Sequence, residues 1–532
     1  MKTMKKTISM LACIMLVLGI MMPGLAFAGE RTTQVTIHKI ASEDTLTAKD
    51  HDGKEITPNS AEWTKRFGEK AKALKDVEFT YFQVNAKEYK ALVKAQPKTV
   101  AAVKAIAKNS QANKLALTDN NGEVTESFKD GYYWFIETKK PETVSDGVAV
   151  PFGLVLPMTN ENGTGYMDKV HVYPKNKTGE LPTPEKDVTT VGNKITSYDM
   201  KKVFPWIIKT DVPANLENYT KYEISDTLDS KLDMVSTSGT LKIYLADKKD
   251  ITDGLTPEAM AKSSKFVDAR EKFNINITDR TMNLELKKNN EGKFVNLGKD
   301  KKFVVILESK INDTAILGQD ILNNVKLTFR NNPELTDDIT KEIPPTEQPK
   351  VWTGGKRFVK VKHDILGNTV QEGGKTVTLQ GAEFVIMNSD KTKYLNQENG
   401  KNEWTADADA ATKFVTGENG EFEVKGLEAK TVKQADGSYE DVDTTYYYKE
   451  VKAPKGYAIV TTAQAFTVNR TSYYTNPQET DFGRLVLANA QEIGNKKLSL
   501  PQTGGPGSVM LLVAGIAVMS AAVLGLKKKK NA

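Results

Sequence analysis

The sequence predicts an all-β chain of three β-sandwich units in tandem, the first of them carrying helical insertions. Three observations predict it. Most of the chain reads as short segments of alternating apolar and polar residues, separated by Gly, Asn and Asp turns. Two Pro-rich breaks, KTGELPTPEK at 177–186 and KEIPPTEQPK at 341–350, divide it. Between its two ends lie about 475 residues, too many for one hydrophobic core and suited to three.

Residues 1–28 read as a cleaved signal peptide. Lys2, Lys5 and Lys6 precede an apolar run from Ile8 to Met22, then Pro23. Ala26-Phe27-Ala28 offers small residues at both positions a signal peptidase reads, and the run is short for a membrane span. Cys13, the only cysteine, lies inside the run. The mature chain therefore has no thiol with which to brace itself outside the cell.

The first unit is expected over 29–178, the middle one over 179–346 and the third over 347–499. In the first, EYKALVKAQ and TVAAVKAIAKN, within 60–110, have helical rather than strand spacing. The first and third units share three cues in the same order. DVEFTYF at 76–82 matches GAEFVIM at 381–387, and NGEV at 121–124 matches NGEF at 419–422. GYYWFIETKKP matches YYYKEVKAP, each with Glu-x-x-x-Pro after aromatics (Glu137 and Pro141, Glu450 and Pro454).

At the C-terminus Leu500-Pro501-Gln502-Thr503-Gly504 is followed by an apolar stretch from Ser508 to Leu526, then Lys527 to Lys530. The stretch is long enough to span a bilayer, and the lysines are a cytoplasmic stop. A pentapeptide, a span and a basic tail in this order resemble the sortase sorting signal of Gram-positive surface proteins. The resemblance implies cleavage between Thr503 and Gly504, with Gly504 and the span and tail at 505–532 removed. Leu156-Pro157-Met158-Thr159 also reads LPxT, but Asn160 follows it and no span does. The formal charge of +6 loses three lysines with the leader and four with the tail, leaving −1 for residues 29–503. The basic balance belongs to the targeting segments, so nothing points to a nucleic-acid partner.

LQGAEFVIM, YYYKEVKAPKGY and IGNKKLSLPQTGG resemble an immunoglobulin-like domain of the CnaB type. VHVYPKN is similar to the pilin motif of sortase-assembled pili, and YYYKEVKAPKGY to their E-box. Together with the leader and the sorting signal, these resemble a backbone (major) pilin. One departure is visible: the family pattern places Trp four residues before the first Val, where this chain has Tyr166. The resemblance implies a structural protein rather than an enzyme, with no cofactor, secreted and anchored to peptidoglycan as a surface pilus. Its partners would be further copies of itself, a pilin-specific and a housekeeping sortase, and minor pilins. It would support adhesion and biofilm formation, although no receptor can be read from the chain.

CnaB-type domains close an amide between Lys and Asn with the help of a buried acid. A lysine in an apolar core has its pKa lowered and becomes a neutral nucleophile. A carboxyl group kept protonated there can shuttle the proton that leaves with ammonia. Alternation selects the candidates. Lys39 is in phase with Val35 and Ile37, and would pair with Asn176 and Glu137. Lys186 is in phase with Val188, Asp226 with Ile224 and Leu228, and Asn323 with Val325, Leu327 and Phe329. Lys360 is in phase with Phe358, with Glu450 as acid and Asn495 as partner; Lys362 and Asn489 are their rivals. Each bond would tie the first strand of a unit to its last.

In VHVYPKNK the same period sets Val170, Val172, Pro174 and Asn176 on one face, and His171, Tyr173 and Lys175 on the other. Asn176 then points inward to close the unit, while Lys175 points outward. The pilin resemblance makes Lys175 the nucleophile that joins Thr503 of another subunit. Two alternatives stay open: a wall-anchored adhesin or minor pilin that is not polymerised, and a wall-anchored enzyme. His38, His51, His171 and His363 are scattered and show no metal-ligand spacing. There is no GxSxG and no phosphate loop. The acidic run at Asp407 and Asp409 lacks the glycine and terminal glutamate of a calcium loop.

Overall fold

A computed structural model describes residues 31–497, apart from 43–50, 70, 142–143, 145–150, 161, 178–180, 214, 332–337, 399 and 479–483. The leader, the Leu500–Gly504 signal and the expected span lie outside the described residues. Among the described residues, no helix is long and apolar enough to cross a membrane.

The chain is all-β and forms three sandwiches, each with its own apolar core. In the first, strand Thr32–His38 runs antiparallel to Glu123–Lys129 and parallel to Lys169–Val172. This sheet faces a second one, ordered Asn113–Lys114, Glu78–Val84, Gly131–Lys139 and Phe152–Leu156. Val35, Ile37, Phe79, Phe135, Phe152, Val170 and Val172 fill the space between.

The second sheet is covered on its other face as well. Helices α1 (Ala61–Phe67), α2 (Ala86–Ala95) and α3 (Val100–Ile106) belong to this unit. Leu92 of α2 and Val103 of α3 pack on Phe82, Trp134 and Ile136. A strand buried on both faces loses its alternation, which is why Tyr133, Trp134, Phe135 and Ile136 are all buried. The α2 start is fixed by a capping box between Asn85 and Glu88. The two helices expected from spacing are α2 and α3. The shorter α1 carries only Trp63 and Phe67 as buried residues, too few to show a period.

In the middle unit, Pro184–Val188, Val203–Asp211, Lys301–Ile311, Lys242–Asp247 and Val267–Asp268 form one sheet. The facing sheet is Phe273–Thr278, Thr281–Leu286, Lys221–Thr227, Lys326–Arg330 and Ile339–Glu342. Trp206, Tyr222, Phe303 and Phe329 lie between them.

The third unit repeats the first. Gly354–His363 runs antiparallel to Glu421–Leu427 and parallel to Gln491–Lys496. The facing sheet holds Glu383–Met387 beside Thr444–Lys452, and Phe358, Phe384, Phe422, Tyr448 and Phe466 form the core. The three sequence cues shared by these units fall on equivalent strands. Strand Lys350–Trp352 is common to two units: Val351 lies in the middle core and Trp352 in the third.

Candidate functional site: three buried lysine, acid and asparagine clusters

Lys39 lies in the break between strands Thr32–His38 and Ile40–Ser42. Its Nζ donates to Glu137 Oε2 at 2.7 Å and to Asn176 Oδ1 at 2.8 Å, and Asn176 Nδ2 donates to Glu137 Oε1 at 2.6 Å. All three side chains are buried. Burial pushes the Lys39 amine below the usual lysine range.

In the third unit, Lys360 Nζ donates to Asn495 Oδ1 at 2.5 Å and lies 2.9 Å from Glu450 Oε1. Asn495 Nδ2 donates to the same carboxylate at 2.8 Å, and burial again lowers the lysine. Of the rivals, Lys362 pairs with Glu372 at 3.0 Å on the outside, and Asn489 is exposed.

The two clusters share a construction. Lys360 stands opposite Ile493 in the parallel pair, and Asn495 is two residues further along. Lys39 has the same offset from Asn176, since Ile40 stands opposite Lys175. Two residues along a strand are about 6.6 Å, a gap a lysine stem can cross.

The acids are aimed by the same irregularity. Glu78 pairs with Lys139 but Phe79 with Glu137, so Thr138 is an extra residue. Glu383 pairs with Lys452 but Phe384 with Glu450, so Val451 is the extra one. A bulge re-aims its neighbours. Sequence reasoning did not find these bulges, nor the aromatic face beneath each amine. Lys39 Nζ lies 5.6 Å from the Phe79 ring centroid, Lys360 Nζ 5.2 Å from Phe384, and Lys186 Nζ 5.2 Å from Trp206. The shared Glu-Phe pair of the two repeats was the available signal.

The middle cluster differs. Lys186 Nζ donates to Asp226 Oδ2, and to Asn324 O at 2.9 Å. Burial lowers the lysine to about 8 and raises the Asp226 carboxyl. Asn323 is buried beside them and helps hold the Asp226 charge, yet neither amide atom forms a well-shaped hydrogen bond. The expectation that each pair ties a first strand to a last one does not hold here. Asn323 follows Ile321–Leu322, and strands Lys326–Arg330 and Ile339–Glu342 come after it.

Lys175 and Asn176 lie side by side on strand Lys175–Lys177, with Asn176 buried and Lys175 half-buried. The Lys175 Nζ sits 4.8 Å from the Phe67 ring of α1. Alternation placed Tyr173 on the outer face, but Tyr173 is buried and its hydroxyl accepts from Ile56 N at 2.6 Å. The ladder breaks between Val172 and Lys175, and α1 forms a second layer over that side.

Three of the four histidines, His38, His51 and His171, come together in space, whereas His363 lies in the third unit. His38 Nε2 and His171 Nδ1 share a hydrogen bond of 2.8 Å, and both His38 and His51 pack against Tyr173. Burial lowers His38 to about 4.

Residues 30–177 match the family described as Gram-positive pilin subunit D1, N-terminal domain, and residues 494–532 match the LPXTG cell wall anchor motif. Among curated proteins none matches. Of solved structures, the full-length RrgB pilus protein of Streptococcus pneumoniae has 20% identity and a TM-score of 0.54, over 89% of this chain and 99% of its own. The full-length major pilin SpaD of Corynebacterium diphtheriae has 21% identity and a TM-score of 0.50, over 88% and 98%. A 35 kDa C-terminal fragment of the major pilin GBS80 of Streptococcus agalactiae has 26% identity and a TM-score of 0.43, over 59% of this chain and 100% of the fragment. The chain is thus similar in fold to RrgB and SpaD, and it carries a cell wall anchor.

Proposed function

We propose that this chain, a cell-wall-anchored surface protein with a Gram-positive pilin N-terminal domain, is the backbone subunit of a covalent pilus. A sortase would cleave Thr503–Gly504 and hold the Thr503 acyl group as a thioester. The Lys175 amine of the next subunit would displace the thiol, leaving an amide between subunits. Further copies of the chain, minor pilins and peptidoglycan are then the partners, and the subunit itself is structural, with the sortases supplying the catalysis.

Each unit would close its own Lys–Asn amide: Lys39 with Asn176, Lys186 with Asn323, Lys360 with Asn495. The observation that carries this reading is the carboxylate bridge in the first and third clusters. There one acid lies within hydrogen-bond reach of both the attacking amine and the leaving nitrogen. The neutral amine attacks Asn Cγ, Glu takes its proton, and Nδ2 receives a proton and departs as ammonia. A crosslink closing a loop of this size stabilises by roughly 4–5 kcal/mol in the chain-entropy picture. One hydrogen bond contributes about 1 kcal/mol, so the amide is the larger effect.

Two measurements test the reading. The intact mass of residues 29–503 should fall short by three ammonia molecules; a full mass refutes the amides. Incubation with a pilin-specific sortase should give a ladder of polymers from the wild type and none from Lys175→Arg or Thr503→Ala. A ladder that survives Lys175→Arg refutes the assignment of the joining lysine. Absence of any ladder would favour an anchored adhesin or minor pilin.

A further inference from the structure

The reactive lysines of the first and third units are held by one hydrogen-bond frame that occurs twice. The ladder between Thr32–His38 and Glu123–Lys129 ends at His38 and Glu123. One step further, Lys39 N donates to Gly122 O at 2.7 Å, and Leu74 N donates to Lys39 O at 2.9 Å. In the third unit the ladder ends at Val359 and Glu421. One step further, Lys360 N donates to Gly420 O at 2.7 Å, and Leu379 N donates to Lys360 O at 2.8 Å.

The supports behind these contacts also match. Thr118 Oγ1 donates to Leu74 O at 2.8 Å and accepts from Val77 N at 3.1 Å. Thr416 Oγ1 donates to Leu379 O at 3.0 Å and accepts from Ala382 N at 2.9 Å. Both threonines are buried. From each, four residues lead to the glycine through a turn. Gly122 N donates to Asp119 O and Gly420 N to Gly417 O, both at 2.9 Å.

The glycines are required twice over. Their φ values are +71° and +77°, in the left-handed region. A Cβ would also lie 2.6 Å from Lys39 O at Gly122, and 2.7 Å from Lys360 O at Gly420. Lys186 of the middle unit sits instead inside a ladder, opposite Ile208. The NGE turns, which the sequence shows only as a repeat, thus close on the peptide of the lysine expected to react.

We infer that the Thr-x-x-x-Gly loops 118–122 and 416–420 are positioning elements for amide formation. They clamp the lysine peptide from both sides so that its amine reaches the asparagine carbonyl carbon. The inference rests on the reading that these pairs react. In that reaction the Nζ–Cγ bond forms, the Cγ–Nδ2 bond breaks, and one lysine proton leaves on the ammonia. The loops touch none of these atoms. Their effect is geometric: a displacement of about 1 Å costs about a hundredfold in such a step.

The test uses the whole chain 29–503 made by cell-free synthesis, quenched at intervals, with ammonia loss at each site followed by peptide mass. In Thr416→Val, which removes only the hydroxyl, loss at Lys360–Asn495 should slow by at least about tenfold. Loss at Lys39–Asn176 in the same molecules should keep its wild-type rate. Thr416→Ser should restore the third-unit rate, and Thr118→Val should show the mirror pattern. Gly420→Ala should also slow its own site; if it does not fold, the threonine variants decide. Folded Thr416→Val and Thr118→Val chains that react at the wild-type rate overturn the inference. So does a slowing that serine fails to rescue, since that marks a packing role. A wild-type chain that never loses ammonia refutes the amide reading itself, and the positioning role with it.

Discussion

An amine that must attack cannot carry its proton, and an acid that must deliver a proton cannot have lost it. In the middle cluster burial moves both groups toward these conditions, lowering Lys186 to about 8 and raising Asp226, while the attraction between the two opposes each shift. Below about 8 the neutral amine fraction falls about tenfold per pH unit. Ammonia loss at Lys186–Asn323 should therefore slow on acidification from pH 8 to 6, as read by mass in freshly synthesised chains. A rate flat across that range would place the control elsewhere. His38 gives a second pH sensitivity, in stability rather than rate. Its pKa drops from 6.5 to about 4 in the fold, chiefly through burial, with the neighbouring His171 and His51 lowering it further and Asp119 opposing. A depressed pKa contributes stability that is present above 6.5 and lost as pH falls through 4. Thermal unfolding of the first unit should shift down over that interval, and His38→Gln should flatten the dependence.

At the scale of strands, the lysines of the first and third clusters were legible because alternation puts them in phase with core residues. Lys39 follows Val35 and Ile37, and Lys360 follows Phe358, even though Thr36, His38 and Val361 on the other phase are buried too. Alternation fails where a sheet is covered twice, as at Tyr133 to Ile136, and where a helix from elsewhere roofs a strand, as α1 does over Tyr173. The bulges at Thr138 and Val451 were not legible, since they depend on pairing with a distant strand. Nor was the place of Asn323, because the strands that follow it look like any others in the sequence. That place has a mechanical consequence. Once Lys186 and Asn323 are joined, tension passing through the middle unit leaves residues 324–349 in series, with only hydrogen bonds and packing to hold them. Pulling should release at most roughly 85–95 Å from this unit, at 3.3–3.6 Å per residue. The third unit should release none between Lys360 and Asn495. Single-molecule extension of 29–503 checks both, and Asn323→Ala should lengthen the middle step to most of the unit.

At the scale of the molecule, the joints between units differ. Between the middle and third units, Asp199 accepts from Glu428 N and from Trp404 Nε1, both at 2.9 Å. Ala429 N donates to Ser197 Oγ at 3.0 Å, and Arg470 reaches Asp320 at 2.5 Å. The shared strand Lys350–Trp352 runs through the same joint. Between the first and middle units, the Asn331 amide donates to Val144 O at 2.6 Å. Asp199→Ala leaves two part-buried donors without their acceptor and should weaken the middle–third joint by about 1 kcal/mol. Small-angle scattering should then show a broader distribution of lengths. An unchanged profile would mean that the shared strand alone sets the angle.

The adjacency of Lys175 and Asn176 at the end of the first unit decides where load travels. If the next subunit is attached at Lys175, pull enters the chain there and leaves toward residue 184, without crossing residues 31–174. The first unit is then wired in parallel with the fibre, like a branch off a circuit, whereas the other two stand in line. Its Lys39–Asn176 link would carry no current of force. Such a branch could open, be cut or refold while the fibre stayed whole, and its covalent closure would serve to guard the attachment lysine and its surroundings instead of the strength of the thread.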